Sequence, residues 1–416
     1  MKVLTLLLVL FLSLCRSAYA VTEINVLYGL PHLFKEAHET IAKDFMAKHP
    51  DIKINLLAPA KHYDEVATAV FRGAVAGSVP DVVYNGTNLM NQFVNRGLAV
   101  PLDSFIKADP DFEKEGYIPA MLATSQIGGV QYGMPFAIST PIAYYNVDLI
   151  RRAGGDPEHL PRTWEQVMEL SDKINQLGGN TKSMYLHWST AGTYIWQTLL
   201  STHGASLLTP DGKAIAFNSP GGLKTLELLR DLSVRAKMPN YSREQGRQDF
   251  TAGLIAMQFS SSAELTLVTK QIGSKFTLRT APFPTPDANA KLVSGGATAM
   301  LLTKDTAKQK AAWAYMKFAT GALGQTTMVR FTGYNPSSKV AIETPSLLAD
   351  YYAKTPNARV SLAQLSRAAP WLGFPGSNGI KISDVVIDKL EAVVSLKLSP
   401  KDAMQQMSSE ANALLK

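Results

Sequence analysis

Glu23-Ile24-Asn25-Val26-Leu27-Tyr28, Ile52-Lys53-Ile54-Asn55-Leu56-Leu57 and Pro80-Asp81-Val82-Val83-Tyr84 are three short runs of strand-forming residues. The first alternates apolar and polar positions, which predicts a strand with one buried face. Between the first two runs, apolar residues recur at Phe34, Ala37, Ile41, Phe45 and Met46. That is the spacing of one helical face, and Lys48-His49-Pro50-Asp51 ends the helix because proline cannot continue it. A second helix is predicted over Tyr63 to Gly77, before the third strand. Strands that alternate with helices predict an α/β chain, its sheet largely parallel and covered on both faces.

The pattern continues toward the C-terminus. Asp103 to Tyr117 reads as a helix broken at Pro110. Gln131-Tyr132-Gly133-Met134-Pro135-Phe136 opens an extended run that continues through Ala143-Tyr144-Tyr145-Asn146. Thr163 and Gln166 form a predicted capping box, the threonine receiving the amide three residues on and the glutamine reaching back. Helices are also predicted over Gly221 to Lys237, Thr306 to Gly321 and Ser399 to Leu415. Proline and glycine mark loops at Pro282 to Pro286 and Gly333 to Pro336. The sequence contains no internal repeat and no low-complexity segment.

Toward the N-terminus, Lys2 precedes the apolar run Val3 to Leu12, and Ala18-Tyr19-Ala20 supplies small residues. These are the three regions of a secretory signal peptide, with cleavage expected after Ala20. The run is too short to span a bilayer, which needs roughly 20 apolar residues. Cys15 is the only cysteine. Leu14 before it does not fit the small residue of a lipoprotein signal, so a soluble periplasmic protein without disulfides is expected. Removing 20 of 416 residues leaves 396, more than one ordinary core, and two domains are expected. A composition of 46% hydrophobic and 18% charged residues describes a packed globular chain. The net charge of +7 becomes +5 without Lys2 and Arg16, and the remaining basic residues are dispersed. No Lys/Arg run is interleaved with aromatics, so nucleic acid is not an expected partner.

Six short segments occur in an order that resembles a known family: Gly133-Met134-Pro135-Phe136 with Ser139-Thr140-Pro141 and Tyr144-Tyr145-Asn146; Pro161-Arg162-Thr163-Trp164-Glu165; Gly295-Gly296-Ala297; and Thr332-Gly333-Tyr334-Asn335-Pro336. They resemble the extracellular solute-binding proteins of the maltose-binding class, over about Glu23 to Leu415. Within that class the chain is most similar to the glycerol-3-phosphate binders, through His62-Tyr63-Asp64-Glu65, Trp188 and Ser260-Ser261-Ser262. The resemblance implies a two-lobed periplasmic-binding-protein fold of type II. Lobe one would comprise 21–132 with 287–333, and lobe two 133–286 with 334–416. It also implies a receptor of an ABC importer that delivers a sugar, polyol or glycerol-phosphate-type solute to membrane permease subunits, as a monomer without cofactor.

Seven ligand contacts follow from that resemblance, each with a plainer reading beside it. Trp188 lies in a polar, glycine-containing stretch and would stack on carbon faces of the solute; otherwise it is core. Tyr63 and Glu65 begin a helix and would hold hydroxyls, though Glu65 at a helix start also suits the macrodipole. Ser139 would bind a solute oxygen at the first crossing between lobes, or satisfy its own turn. Ser262 would cap a helix whose N-terminus can hold an anion. Gly296 would let backbone approach the solute. Tyr334 would reach it from the second crossing. One departure stands out: glycerol-3-phosphate binders carry an arginine in a Gly-Leu-Arg-Leu-Gly stretch, and Trp371 to Gly379 has none. Lys61, Arg247, Lys381 or a helix N-terminus are the candidate replacements.

Two other function classes were weighed. A secreted carbohydrate-active enzyme would need Asp64, Glu65 or Glu264 to meet as a carboxylate pair, yet no HExxH, nucleophile elbow or cysteine nucleophile is present. A metal receptor would need paired histidines, and His32, His38, His49 and His62 show no HxH or HxxxH spacing.

Overall fold

A computed structural model describes residues 21–189 and 193–415; the predicted signal peptide lies outside the described residues. The first three predicted strands form as β1 (Thr22–Tyr28), β2 (Ile52–Leu56) and β3 (Val82–Gly86). The helices between them are α1 (Pro31–Lys48) and α2 (Tyr63–Val75). Pro31 sits in the first turn of α1, where its missing N–H costs nothing, so the helix starts three residues before the predicted Phe34. Phe34, Ala37, His38, Ile41 and Phe45 are buried along one face of α1, and burying a phenylalanine of this kind contributes about 1.5–3 kcal/mol.

The long extended run divides into β4 (Met134–Ser139) and β5 (Pro141–Asn146). Next come α3 (Trp164–Asn175), β6 (Lys182–Leu186), α4 (Tyr194–Thr202) and α5 (Pro220–Val234). The capping box of α3 is present as predicted, with Thr163 Oγ1 accepting from the Gln166 amide at 3.3 Å. Then follow α6 (Arg243–Thr251), β7 (Ile255–Ser261), β8 (Leu278–Pro282) and β9 (Leu292–Leu301). The chain closes with α7 (Thr306–Thr320), α8 (Ala322–Phe331), β10 (Ala368–Pro370), α9 (Gly379–Val394) and α10 (Pro400–Leu414).

Two sheets organise these elements. The first has the order β10-β9-β3-β1-β2, with β4 also paired to β9. Its β1–β2 and β1–β3 pairs are parallel, as the strand–helix alternation requires. The second has the order β8-β5-β7-β6, antiparallel except for the parallel β6–β7 pair. Both β4 and β10 pair with β9 in the first sheet, and the short helix Lys339–Glu343 donates from its first amide to the Gly116 carbonyl, in the segment between β3 and β4.

A single residue, Thr140, carries the chain from β4 in the first sheet to β5 in the second. It is wholly buried, and its Oγ1 lies 2.9 Å from Ser361 Oγ. Ser361 Oγ also accepts from Asn335 Nδ2 at 2.7 Å, and the Asn335 amide donates to the Ile138 carbonyl at 2.6 Å. The crossing at Thr140 is thus tied to the segment around Asn335 by buried hydrogen bonds. Among the described residues no helix is long and apolar enough to cross a membrane.

Candidate functional site

Where the crossings meet the edges of both sheets, a cavity of about 490 Å³ opens. The first sheet contributes Leu30 after β1 and the start of α2, Lys61 to Glu65. The crossings contribute Ser139, Gly295, Gly296 and Tyr334. The second sheet and its helices contribute Tyr194, Arg243, Ser261 and Ala263, and the C-terminal part Trp371 and Asp384.

Tyr63 opens α2 and lies against Gly86, where an added Cβ would come within 2.9 Å of its ring. Its hydroxyl is buried without a normal hydrogen bond, although Tyr334 is close enough to influence its acidity. Burial, followed by the charge of Tyr334, pushes the Tyr63 phenol well above the usual tyrosine range. Glu65 accepts from the Lys61 amide at 2.9 Å, so one carboxylate oxygen staples the loop to the helix start. Asp64 and Asp384 both line the cavity, close enough for their charges to interact. Burial and then that like charge raise the Asp64 carboxyl to about 6.

Ser139 ends β4, and its Oγ donates to the Gly295 carbonyl at 3.2 Å, while its own carbonyl accepts from Tyr194 Oη at 3.3 Å. Gly296 lies opposite Ile138 in the β4–β9 ladder. Its φ is +153°, and a Cβ there would stand 1.8 Å from the Ala137 carbonyl oxygen. Only glycine allows these strands to approach so closely beside the cavity. Tyr334 is held by its amide, which donates to Thr332 Oγ1 at 3.1 Å, and by stacking on Phe34 at 5.1 Å. Burial, first of all, raises its phenol to about 12.

Trp188 and Ser262 stand apart from these five. Trp188 is buried in the core, next in the chain to the lining residue Ser189, and its indole N–H has no hydrogen-bond partner among the described residues. The residues 190–192 that follow it lie outside the described ones. Ser262 is fully buried, and its amide donates to the Thr140 carbonyl at 3.0 Å. The cap predicted for Ser262 is made one residue earlier: Ser261 Oγ, in the cavity wall, accepts from the Ala263 amide at 3.2 Å.

Arg243 is the principal feature that the sequence reading missed. Its Nε and Nη2 lie 2.9 and 2.8 Å from Glu264 Oε1, and Arg247 Nη1 approaches the same oxygen at 3.5 Å. Glu264 is wholly buried, and its other oxygen accepts from Ser260 Oγ at 3.0 Å. Burial alone would push this carboxyl up, but Arg243, His187 and Arg247 overcome it and hold it at about 2. Because Ser260 spends its proton on an ionised carboxylate, His187 Nδ1 must be the donor in the 2.6 Å contact to Ser260 Oγ. The Ser-His-Glu grouping therefore runs in the wrong direction for a nucleophile, and Ser260 has no exposed surface. The glutamate weighed as a catalytic acid instead anchors two arginines.

A family model described as "Bacterial extracellular solute-binding protein" matches residues 33–326. The chain belongs to this family. The solute-binding component of an ABC importer is its function. Among relatives of this solute-binding protein is the sn-glycerol-3-phosphate-binding periplasmic protein UgpB of Pectobacterium atrosepticum, 24% identical over 428 residues, covering 98% of this chain and 94% of the relative. UgpB of Escherichia coli is 23% identical over 98% of the chain and 96% of its own length. Among solved structures, UgpB of Mycobacterium tuberculosis in complex with glycerophosphocholine matches with a TM-score of 0.83 at 21% identity, over 94% of this chain and 98% of that one. Maltose-bound MalE3 of T. maritima matches with a TM-score of 0.79 at 22% identity, over 94% and 100%. The solute-binding protein thus has the two-lobed α/β fold that these structures share.

Proposed function

We propose that this protein binds a small, hydroxyl-bearing solute of the sugar, polyol or glycerol-phosphate kind in the periplasm, closes its two lobes over it and delivers it to the permease. The observation that carries this reading is the composition of the cavity wall. Tyr63 comes from the first-sheet side, Arg243 and Ser261 from the second, and Ser139, Gly296 and Tyr334 from the Thr140 crossing and the segments packed beside it. A solute that touches all three can reward closure, since a ligand shifts an equilibrium only by its differential contacts with the two states. Phenols, serine hydroxyls and aromatic faces suit a polyol, with rings covering C–H surfaces and polar groups meeting hydroxyls.

The lobes are centred on the two sheets, and the protein acts as a monomer, without cofactor or catalysis. The similarity to glycerol-3-phosphate-binding relatives over nearly the whole chain supports the phosphate-ester end of the solute range. Thermal unfolding of the mature protein against glycerol 3-phosphate, glycerophosphocholine, maltose and simple polyols tests the reading. A cognate solute at a hundred times its Kd adds about 2.7 kcal/mol of stability. No shift with any compound, together with unchanged behaviour of a Tyr334→Ala variant, would refute it.

A further inference from the structure

The cavity contains a buried positive charge that its own salt bridge does not cancel. Arg243 and Arg247 share one acceptor, Glu264, and the adjacent His187 is held neutral by burial, at about 3. Within this buried cluster two cations face one anion, while Asp64, Glu65, Glu244 and Asp384 border the cavity elsewhere. Arg243 lines the cavity with its side chain 15% exposed, whereas Arg247 is not in the wall. Glu264 takes Nε and Nη2 of Arg243, and Nη1 has no hydrogen-bond partner among the described residues.

Two guanidinium nitrogens held against one buried carboxylate oxygen orient the group, so this remaining edge has a defined direction. Arg243 is also the first residue of α6, capped by Ser242, whose Oγ accepts from the Gln245 amide at 3.2 Å. The first amides of the helix have no intrahelical acceptor, and Ser242, Arg243 and Glu244 all border the cavity. Glu244 is exposed, where water screens its charge. In the same wall, the Tyr63 hydroxyl is buried without a hydrogen-bond partner among the described residues.

We propose that Arg243, with the open amides at the start of α6 and the Tyr63 hydroxyl, grips an anionic group of the solute, a phosphate monoester or diester. The arginine missing from Trp371 to Gly379 is thereby replaced by one at the start of α6. The assignment rests on the reading of this cavity as the solute site.

The test is calorimetric titration of the mature protein with glycerol 3-phosphate, glycerophosphocholine, inorganic phosphate and, as a neutral control, maltose. At least one phosphate compound should bind, and its affinity should fall as NaCl is raised. A monoester and a diester source are separated by which of the first two binds more tightly. Arg243→Lys keeps the charge but loses the fixed fork, and should weaken binding about tenfold or more. Arg243→Gln should weaken it further. Since that variant strands Glu264, it is compared with Arg243→Gln/Glu264→Gln, which leaves no unpaired carboxylate.

Binding of maltose alone, or phosphate-ester binding that stays within twofold in Arg243→Lys, overturns the anion grip. If maltose binding then disappears in Tyr334→Ala, the cavity reading stands without it. If nothing binds, or Tyr334→Ala changes nothing, both fall together.

Discussion

Replacing Glu264 with glutamine tests the buried electrostatics directly. The carboxylate is wholly buried and is the shared acceptor of Arg243 and Arg247. Removing one partner of a buried ion pair costs about 3–5 kcal/mol, because the other charge is left uncompensated. For a cooperative unit of 150–250 residues, 1 kcal/mol moves the midpoint by about 2–4 °C. Glu264→Gln should therefore lower the thermal midpoint at pH 7 by roughly 6–20 °C.

The pH dependence follows from the same pair. The folded carboxyl lies at about 2 against an ordinary 4.5, so the folded state binds fewer protons. Its stabilisation is fully present above 4.5 and is lost as pH falls toward 2, an amount of about 3 kcal/mol. Calorimetry or circular dichroism across pH 2 to 8 reads both effects, and the gap between wild type and variant should narrow below pH 4.5. A midpoint within 2 °C of wild type at pH 7, or a gap that does not change with pH, would refute the reasoning.

Gly296→Ala should cost about 3 kcal/mol or more, because a Cβ 1.8 Å from the Ala137 carbonyl forces β4 and β9 apart in a conformation that side chains avoid; an unshifted unfolding midpoint would count against the close approach. Tyr63→Phe removes a hydroxyl that has no hydrogen-bond partner among the described residues, so stability should hold or rise while solute affinity falls about fivefold to tenfold by calorimetry; a stability loss without an affinity loss would contradict its placement. Asp64 sits above its ordinary 3.8, at about 6, through burial and the charge of Asp384. The folded state therefore binds the extra proton, and this stabilisation is complete below 3.8 and lost as pH rises through 6. Asp64→Asn should raise the midpoint at pH 7.5 and leave it unchanged near pH 4; an equal offset at both values would mean the carboxylates do not oppose each other.

The difference between what was legible in the sequence and what was not follows the range of the interactions. Local signals were readable: the alternation in Glu23 to Tyr28, the stripe from Phe34 to Phe45 and the Thr163–Gln166 box each concern residues a few positions apart, and each forms as predicted. Five of the seven candidate contacts come together in one cavity for a similar reason, since each lies in a short segment with its own backbone requirement, such as the close approach at Gly296. The sheet on which β4 lies depends on its pairing with β9, about 160 residues away, which no local pattern records. Arg243 belongs to this second kind. In the sequence it is one arginine at a helix start, beside a glutamate and followed by Arg247. It becomes an oriented cation only because Glu264, 21 positions on, is buried just after the next strand and takes Arg243 and Arg247 on one oxygen. A search for a phosphate grip at the expected position, Trp371 to Gly379, finds apolar surface and stops. What determines the charge of a cavity is which buried ion pairs around it are unequal, and that inequality is a property of packing.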